Sequence, residues 1–220
     1  MEDRSNSALY LELGNGTARD TERRAGNLAT LPGAERVSWW ENCHPARTDL
    51  PRKVEEGSLL TVAEVDRTFR APDPPPGVTA HLFHRHPRPS QGILDGGATT
   101  GLLIVWISPK SPDRAQELRD WGDFVHIRHI AAAGIPGFTQ ISVFENTEDV
   151  DPRYMHFYEF ASADPEATFK TMTPHVAPRL GGAESEAYAD WADWRAHGGR
   201  LFYCNTFALL GRVSTPTPTH

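Results

Sequence analysis

The sequence predicts an α+β protein made of two fused repeats, each with its elements in the order β-α-β-β-α-β. The first observation is a phrase that occurs twice: residues 31–42 read LPGAERVSWWEN and residues 135–146 read IPGFTQISVFEN. A Pro-Gly pair, a serine and a closing Glu-Asn pair recur at the same places. The second observation is the context, since each phrase follows a helix-like segment and precedes a loop and another strand. Self-similarity of this length is typical of duplicated structure.

Each repeat has the split βαβ, or ferredoxin-like, pattern, in which four antiparallel strands carry helices on one face. The other face of such a sheet needs cover, and two sheets can cover each other in a barrel-like body. We therefore predict two ferredoxin-like units within one chain. Their predicted bounds are residues 1–90 for a degenerate first repeat, 91–100 for a linker, 101–212 for a second repeat that carries the active cleft, and 213–220 for a disordered tail.

The first repeat is predicted from short apolar runs separated by turn residues. Pro32-Gly33 turns the chain between the helix and the second strand. The Pro-rich stretch at 71–77 lies where a second helix is expected, so no helix is predicted there. The predicted elements are strands at 8–13, 34–41, 58–66 and 78–86 and one helix at about 18–30.

The second repeat carries clearer signals. Ser111 or Asp113 can cap a long helix at about 112–133, and Gly134 ends that helix. The next strand, 138–145, alternates in polarity and is predicted to place one set of side chains on a common face: Phe138, Gln140, Ser142 and Phe144. The remaining predicted elements are strands at 101–108, 153–160 and 200–212 and helices at about 165–173 and 184–197.

Composition and charge argue against several classes of function. The 220 residues are 39% hydrophobic and 10% aromatic, which supports a real core, and a net charge of −7 offers no basic face for nucleic acid. Cys43 and Cys204 are too far apart in sequence for a metal knuckle or a disulfide framework, which is typical of a reducing compartment. The amino-terminal stretch lacks the apolar core of a signal peptide, and no run of ~18 apolar residues is present. We therefore expect a cytoplasmic protein without nucleic-acid or membrane partners.

Three segments of the second repeat carry a resemblance to a known family. Residues 120–127 read DWGDFVHI, residues 135–138 read IPGF, and residues 152–159 read PRYMHFYE. Over about residues 101–170 the sequence resembles the dimeric α+β barrel superfamily, in particular its EthD-like members. The resemblance implies an enzyme such as a polyketide cyclase, dehydratase, decarboxylase or cofactor-free monooxygenase, and heme-binding enzymes share the fold. The first repeat keeps the Pro-Gly turn and the strands, but its helix lacks the matching Trp and His.

His126 is the first candidate for acid–base chemistry, because a histidine titrates near neutrality and can give or take a proton. Asp123 lies three residues earlier on the same predicted helix, where its carboxylate can orient one ring nitrogen of His126. In the family that the sequence resembles, this histidine points into the cleft between helices and sheet. A purely structural role, in capping or packing the helix, is the alternative.

His156 and Tyr158 are the second candidate group. They alternate along one predicted strand, so both side chains point to the same side, together with Tyr154. Beneath a helix that carries His126, they would form a polar cluster in an apolar pocket, which suits acid–base work on a carbonyl or hydroxyl group. A hydrogen-bonded pair between the two sheets is the structural alternative.

Further residues are assigned to substrate binding because they are aromatic, amide or hydroxyl groups that can hold a ring or a substrate oxygen. Each is equally compatible with a packed or hydrogen-bonded structural role. These candidates are Trp106, Trp121, His129, Gln140, Tyr203 and Asn205.

No metal and no cofactor are predicted. His84 and His86 share one strand face and could chelate a metal together with His129 or His156, but no HExxH motif or carboxylate cluster completes the set. A heme enzyme of this fold would need an axial ligand such as His175. No phosphate-binding loop follows any predicted strand.

The sequence therefore predicts a cofactor-independent lyase, a dehydratase, cyclase or decarboxylase, acting by acid–base chemistry on a small aromatic or polycyclic metabolite. A cofactor-free monooxygenase, a heme enzyme of the same fold and a non-catalytic binding protein for a small ligand are the alternatives. The expected partner is a small-molecule substrate, and the chain is expected to be a monomer or a homodimer.

Overall fold

The computed structural model describes residues 8–92, 98–146 and 150–214. The strands in these ranges are β1 (Ala8–Gly14), β2 (Ala34–Asn42), β3 (Leu59–Val65), β4 (Thr79–Arg85), β5 (Gly101–Pro109), β6 (Phe138–Glu145), β7 (Tyr154–Phe160) and β8 (Gly199–Ser214). The helices are α1 (Ala18–Ala29), α2 (Ala115–Asp120), α3 (Ile127–Ala132), α4 (Pro165–Lys170), α5 (Met172–Val176) and α6 (Glu186–Ala192). Short 3₁₀ turns cover Pro112–Arg114 and Ala177–Leu180, and a π-helical turn covers Trp121–His126.

The eight described strands form one closed antiparallel barrel in the order β1-β3-β2-β8-β5-β7-β6-β4. The first four strands of the chain follow each other as β4-β1-β3-β2, and the last four as β8-β5-β7-β6, which is the same relative order. The two junctions between these halves differ. Seven residue pairs join β2 to β8, whereas two pairs join β4 to β6. The barrel is therefore closed by a long strand pairing between β2 and β8 and by a short one between β4 and β6.

The repeated phrase of the sequence has the same structural role in both halves. Gly33 and Gly137 turn the chain into β2 and β6 with φ angles of 83° and 87°, a region that favours glycine. At the far ends of these strands, the Asn42 amide donates to the Ser58 carbonyl (2.9 Å) and the Asn146 amide donates to the Arg153 carbonyl (2.8 Å). Each copy of the phrase thus forms a turn, a strand and the start of the next connection.

Side-chain caps define the starts of three helices. Thr17, Asp164 and Ser185 each accept a hydrogen bond from a backbone amide three residues later, at 2.9–3.1 Å. These bonds satisfy amides that have no partner within the helix. Pro165 follows Asp164 at the first helical position, where a missing N–H costs nothing.

Apolar side chains from both halves fill the barrel lumen. Each fully buried large side chain contributes roughly 1.5–3 kcal/mol of hydrophobic stabilisation. The buried members of this core include Leu11, Leu60, Phe83, Ile104, Trp106, Met155, Phe157, Tyr203 and Phe207. On the outside, α1 covers the sheet of the first half, and α2 to α6 cover the sheet of the second half. The second half therefore has room for a site between its helices and its sheet.

Several predicted boundaries need correction. The predicted tail begins too early, because Val213 pairs with Val37 and β8 continues to Ser214; residues 215–220 lie outside the described residues. In the predicted linker, Gln91 forms a β-bridge with Ile141, whereas 93–97 lie outside the described residues. The register of β6 shifts at its start, so Phe138 packs on the outer face instead of sharing a face with Phe144. This bulge breaks the simple alternation that the sequence suggests.

The predicted helix at 112–133 and the helix-free stretch at 71–77 match the structure, although the former contains the π-helical turn. Within the described ranges, no helix is both long and apolar enough to cross a membrane.

Candidate functional site

A cavity of about 230 Å³ lies between the outer face of the second half's sheet, the π-helical turn Trp121–His126 and helices α4 to α6. It is partly open to solvent and is lined mainly by aromatic and aliphatic side chains. His126, His156 and Tyr158 line it together, so the structure brings the three polar candidates of the sequence to one place. Its remaining aromatic lining consists of Trp121, Phe169, Tyr188, Trp191 and Trp194.

Strand β7 delivers two of the polar side chains. Its residues alternate, so Met155 and Phe157 enter the barrel lumen while His156 and Tyr158 point outward to the cavity. The ring centroids of His156 and Tyr158 lie 6.4 Å apart. The described residues form no hydrogen bond with the Tyr158 hydroxyl, so this group is available to a ligand.

The helix above the cavity holds His126 through a reciprocal pair of hydrogen bonds. The Nδ1 of His126 donates to the Trp191 carbonyl (3.0 Å), and the Trp191 indole N–H donates to the His126 carbonyl (3.1 Å). The imidazole also stacks on Trp191 at 5.0 Å between centroids and packs against Trp121 at 4.9 Å. Because Nδ1 carries the proton, Nε2 is the nitrogen with a free lone pair.

Gly122 sets the distance between this helix and His156. A Cβ atom at position 122 would lie 3.1 Å from Cε1 and 3.2 Å from Nε2 of His156, closer than side chains normally approach. Glycine therefore lets the helix backbone pack directly on the imidazole. The π-helical turn that contains Gly122 is a feature often found at functional sites.

Asp123 does not orient His126, contrary to the prediction. Its side chain is 4% exposed and accepts a 2.6 Å hydrogen bond from Arg88, on the segment between β4 and β5. The reason is the π-helical turn, in which the Ile127 amide donates to the Gly122 carbonyl, five residues earlier. In this wider turn, residues three apart are separated further around the axis than in an α-helix.

Of the six predicted substrate-binding residues, only Trp121 lines the cavity. Trp106 and Tyr203 belong to the barrel lumen, because they lie on the inward faces of β5 and β8. His129 lies on α3 outside the cavity lining. The other two make structural hydrogen bonds: Gln140 donates to Ser142 (3.1 Å), and Asn205 donates to the His44 carbonyl (3.0 Å). The assignment of these five residues to substrate binding is therefore not supported by their positions in the structure.

The loop between β2 and β3, residues 43–57, contributes a wall that the sequence did not predict. Leu50 on this loop lines the cavity, although it belongs to the first half of the chain. Arg47 anchors the loop by donating to Asn205 (3.1 Å) and to the Glu166 carboxylate, and its guanidinium lies 5.2 Å from the centre of the Phe169 ring. No local pattern marks such a long-range contact. Trp191 on α6 and Trp194, which follows the end of α6 at Ala192, also line the cavity.

The electrostatic character of the cavity is neutral and apolar. None of its lining residues, all within the described part of the chain, is Asp, Glu, Lys or Arg. Burial lowers the pKa of both His126 and His156 to about 4, so both imidazoles are uncharged at neutral pH. Burial also raises the pKa of the Tyr158 hydroxyl and raises that of the Cys204 thiol to about 12, so both stay protonated. The two neutral histidines can thus accept a proton, and no side chain among the described lining residues is charged at neutral pH.

The described residues give no support to a metal or heme site. Within these ranges, no group of three His, Cys, Asp or Glu side chains is placed to bind a metal ion. His84 is exposed, and Nδ1 of His86 accepts a hydrogen bond from the Arg88 amide. His175 does not line the cavity, and its Nδ1 bonds to the Thr171 carbonyl (2.8 Å), so it does not fit the role of axial ligand for a heme placed there. The predicted absence of metal and cofactor stays a prediction.

Comparison with solved structures identifies the fold. An anthrone oxidase-like protein superposes with a TM-score of 0.59 at 14% identity, covering 99% of this chain and 96% of its own. A candidate monooxygenase from Fusobacterium nucleatum gives 0.56 at 6% identity, with 96% of each chain covered. A mutant chlorite dismutase from Candidatus Nitrospira defluvii gives 0.51 at 9% identity, covering 95% and 93%.

The chain has the dimeric α+β barrel fold. Identities this low establish the fold alone, and a fold by itself does not fix the reaction. No protein-family model and no curated protein sequence matches the chain.

The buried histidines make the stability of this barrel depend on pH. In the folded protein, burial lowers the pKa of His81, His126 and His156 to about 4, against about 6.5 in an unfolded chain. Between these values the unfolded chain binds more protons, so the free energy of unfolding falls as the pH drops from about 6.5 to about 4. We expect urea unfolding to show this loss, with a shallower dependence in His156→Phe. A free energy of unfolding that stays constant across this window would contradict the assignment.

Proposed function

We propose that this chain is a cofactor-independent oxygenase that removes a proton from a small aromatic substrate and lets molecular oxygen oxidise the resulting anion. The observation that carries the proposal is the meeting of two neutral histidines and one phenol in an apolar cavity without charged side chains. An apolar cavity of this size suits a small ring system held by aromatic contacts.

His126 is the proposed general base. Its Nδ1–H is committed to the Trp191 carbonyl, which leaves Nε2 with the lone pair that accepts the proton. The carbonyl oxygen also stabilises the imidazolium that forms, because it accepts a hydrogen bond from the charged ring. His156 and Tyr158 are proposed to hold the substrate oxygen, on which the negative charge of the anion develops.

The protonation states favour oxidation over the lyase chemistry that the sequence suggested. Elimination of water requires an acid that protonates the leaving hydroxyl group. Histidines whose pKa lies at about 4 are almost entirely unprotonated at neutral pH and so have no proton to donate, and burial raises the pKa of the Tyr158 hydroxyl, which makes it a weaker acid. Oxidation of an activated methylene needs a base and O₂: the CH₂ group loses two hydrogens, and the products are a ketone and one water. The lyase interpretation stays a prediction.

Names among the structural neighbours agree with this choice. One neighbour is an anthrone oxidase-like protein, and another is a candidate monooxygenase. An anthrone carries a methylene group between two aromatic rings, and loss of one proton gives a delocalised anion. We therefore propose an anthrone-like phenolic ketone as the class of substrate.

We further propose that the chain is a tandem of ferredoxin-like repeats, in the manner of an EthD-like dimer fused into one polypeptide. The equal strand order of the two halves supports this proposal. Leu50 supports it as well, because a side chain of the first half lines the cavity of the second half. The first half would thus take the place of a partner subunit.

The test is oxygen uptake by the purified protein with 1,8-dihydroxyanthrone as the probe. We expect 1,8-dihydroxyanthraquinone and one water to form faster than by autoxidation, with one O₂ consumed for each product molecule and no effect of a metal chelator. His129→Ala is the matched control, since His129 lies on the same helical run outside the cavity. Equal turnover under nitrogen would contradict the oxygenase and support a lyase. Saturable binding without turnover would support a binding protein, and a heme band in the visible spectrum would overturn the cofactor-free proposal.

A further inference from the structure

His156 lies between two cavities. Its outer side lines the large cavity shared with His126, and its other side lines a second cavity of about 10 Å³ between the helix and strands β6 and β7. The imidazole is 8% exposed, and the described residues provide no hydrogen-bond partner for its ring nitrogens. A buried imidazole without partners loses the hydrogen bonds that water gave it, so a partner is expected in one of these cavities.

Asp123 faces the same small cavity from the helix. One of its carboxylate oxygens accepts from Arg88 (2.6 Å), while the described residues leave the other without a hydrogen bond. Arg119 also lines this cavity, and its buried Nε has no partner among the described residues. Three polar groups with unused hydrogen-bonding capacity therefore surround one small space.

The size of the space fits a single water molecule. A cavity needs about 10–15 Å³ to hold one water, and a buried water typically makes about three hydrogen bonds. The 10 Å³ between His156, Asp123 and Arg119 meets the lower end of that range. The Gly122 backbone approaches Nε2 of His156 from the helix side, next to Asp123 in the chain. This contact places Cε1 and Nε2 of His156 next to the π-helical turn that also carries the Asp123 carboxylate.

We propose that Asp123 is a positioning residue for His156 and acts through one water molecule bound in this small cavity. The proposal rests on the function proposed above, because it assigns how the second histidine of the same site is oriented. An ionised carboxylate only accepts hydrogen bonds, so it directs one hydrogen of the water toward itself. The other hydrogen of the water donates to the ring nitrogen of His156 in the small cavity, so the N–H of the neutral imidazole lies on the other ring nitrogen, which faces the large cavity and can donate to the substrate oxygen.

The surrounding charges are consistent with an ionised Asp123. Burial raises the pKa of this carboxyl, and Arg88 opposes that effect. His86 and Arg119 also line the small cavity. Arg119 donates a hydrogen bond to the Glu145 carboxylate on β6 (2.7 Å). Arg88 is itself held by a second carboxylate, Asp120, at 2.6 Å.

Asp120 provides a matched control for a test of this relay. Like Asp123 it bonds to Arg88, but it is half exposed and does not line the small cavity. We expect ¹⁵N-histidine NMR spectra to show one neutral tautomer of His156 in the wild type and a mixture of tautomers in Asp123→Asn. Asp120→Asn should leave the His156 signals unchanged. The signals that disappear in His156→Phe are those of His156. Unchanged signals in Asp123→Asn would overturn the proposal, whatever reaction the protein catalyses.

Two further measurements separate this role from a structural one. With 1,8-dihydroxyanthrone as substrate, Asp123→Asn should lower kcat by less than the ~10²–10⁴-fold expected for loss of an acid or base, while KM changes little. If Asp123→Asn does not fold, a high-resolution crystal structure of the wild type decides the matter. A water within hydrogen-bond distance of both Asp123 and His156 is the expected result, and its absence would overturn the proposal.

Discussion

Replacing His126 by alanine is expected to lower turnover by ~10²–10⁴-fold while the protein still folds, because the proposed base is lost from an otherwise intact cavity. The side chain supplies Nε2 to the cavity and one hydrogen bond to the Trp191 carbonyl. Loss of the base affects the transition state in which the proton moves, so kcat and kcat/KM should fall together. Oxygen uptake and quinone formation measure both quantities.

The structural part of this substitution needs its own control. Removing the imidazole leaves the Trp191 carbonyl without its partner and takes away a ring stacked on Trp191. His126→Gln keeps a side-chain donor at that place but provides no base, so it should fold better than His126→Ala and remain inactive. Melting curves of both variants and of His129→Ala separate folding from catalysis. Near-normal turnover in His126→Ala, with the fold retained, would contradict the base assignment.

His156→Phe and Tyr158→Phe are expected to cost less than His126→Ala. Each of these side chains is proposed to hold the substrate oxygen, whereas His126 takes the proton. If His156→Phe is the more damaging variant, the two histidines exchange roles, and His156 is the base. The ranking of the three variants therefore assigns the roles within the cluster.

The sequence was most informative where structure is local. The repeated phrase predicted two equivalent strands because turn glycines and alternating side chains depend on nearby residues only. The strand that carries His156 and Tyr158 was predicted for the same reason, and its alternation placed both residues on the cavity side. Their meeting with His126 followed from the helix lying over the sheet, as the pattern of elements and the family resemblance implied.

The sequence was misleading where a small local change or a distant contact decides the outcome. The π-helical turn at Trp121–His126 separates Asp123 from His126, and no residue pattern in WGDFVH predicts such a turn. The true partner, Arg88, is 35 residues away and lies just before the predicted linker at 91–100. Tyr203 and Asn205 were assigned to the cavity although their strand face turns into the barrel. Such errors arise because residue type alone does not tell which side of a sheet is occupied.

Replacing Arg47 by alanine is expected to destabilise the protein by roughly 3–5 kcal/mol, the cost of breaking a buried ion pair by removing one partner. The Arg47 side chain is 3% exposed and bonds to the Glu166 carboxylate, which is 13% exposed. Glu166 also accepts from the Thr206 hydroxyl (2.7 Å), and Arg47 donates to Asn205 (3.1 Å). Urea unfolding measures the change, and Arg52→Ala is the control on the same loop. Because the Arg52 side chain is 38% exposed where it pairs with Glu56, its loss should cost less than about 1 kcal/mol.

The Arg47 variant also tests whether the first half of the chain completes the cavity of the second. Without Arg47, the loop that carries Leu50 loses its anchor to α4 and β8, and Phe169 loses the guanidinium packed on its ring. Leu50 and Phe169 both line the cavity. Neither of them moves a proton, so KM should rise more than kcat falls. Combining Arg47→Met with Glu166→Gln removes both charges and should recover part of the lost stability, since no buried charge is then left unpaired. A double variant as unstable as Arg47→Ala would show that the loop depends on the geometry of the guanidinium and not on the pairing of its charge.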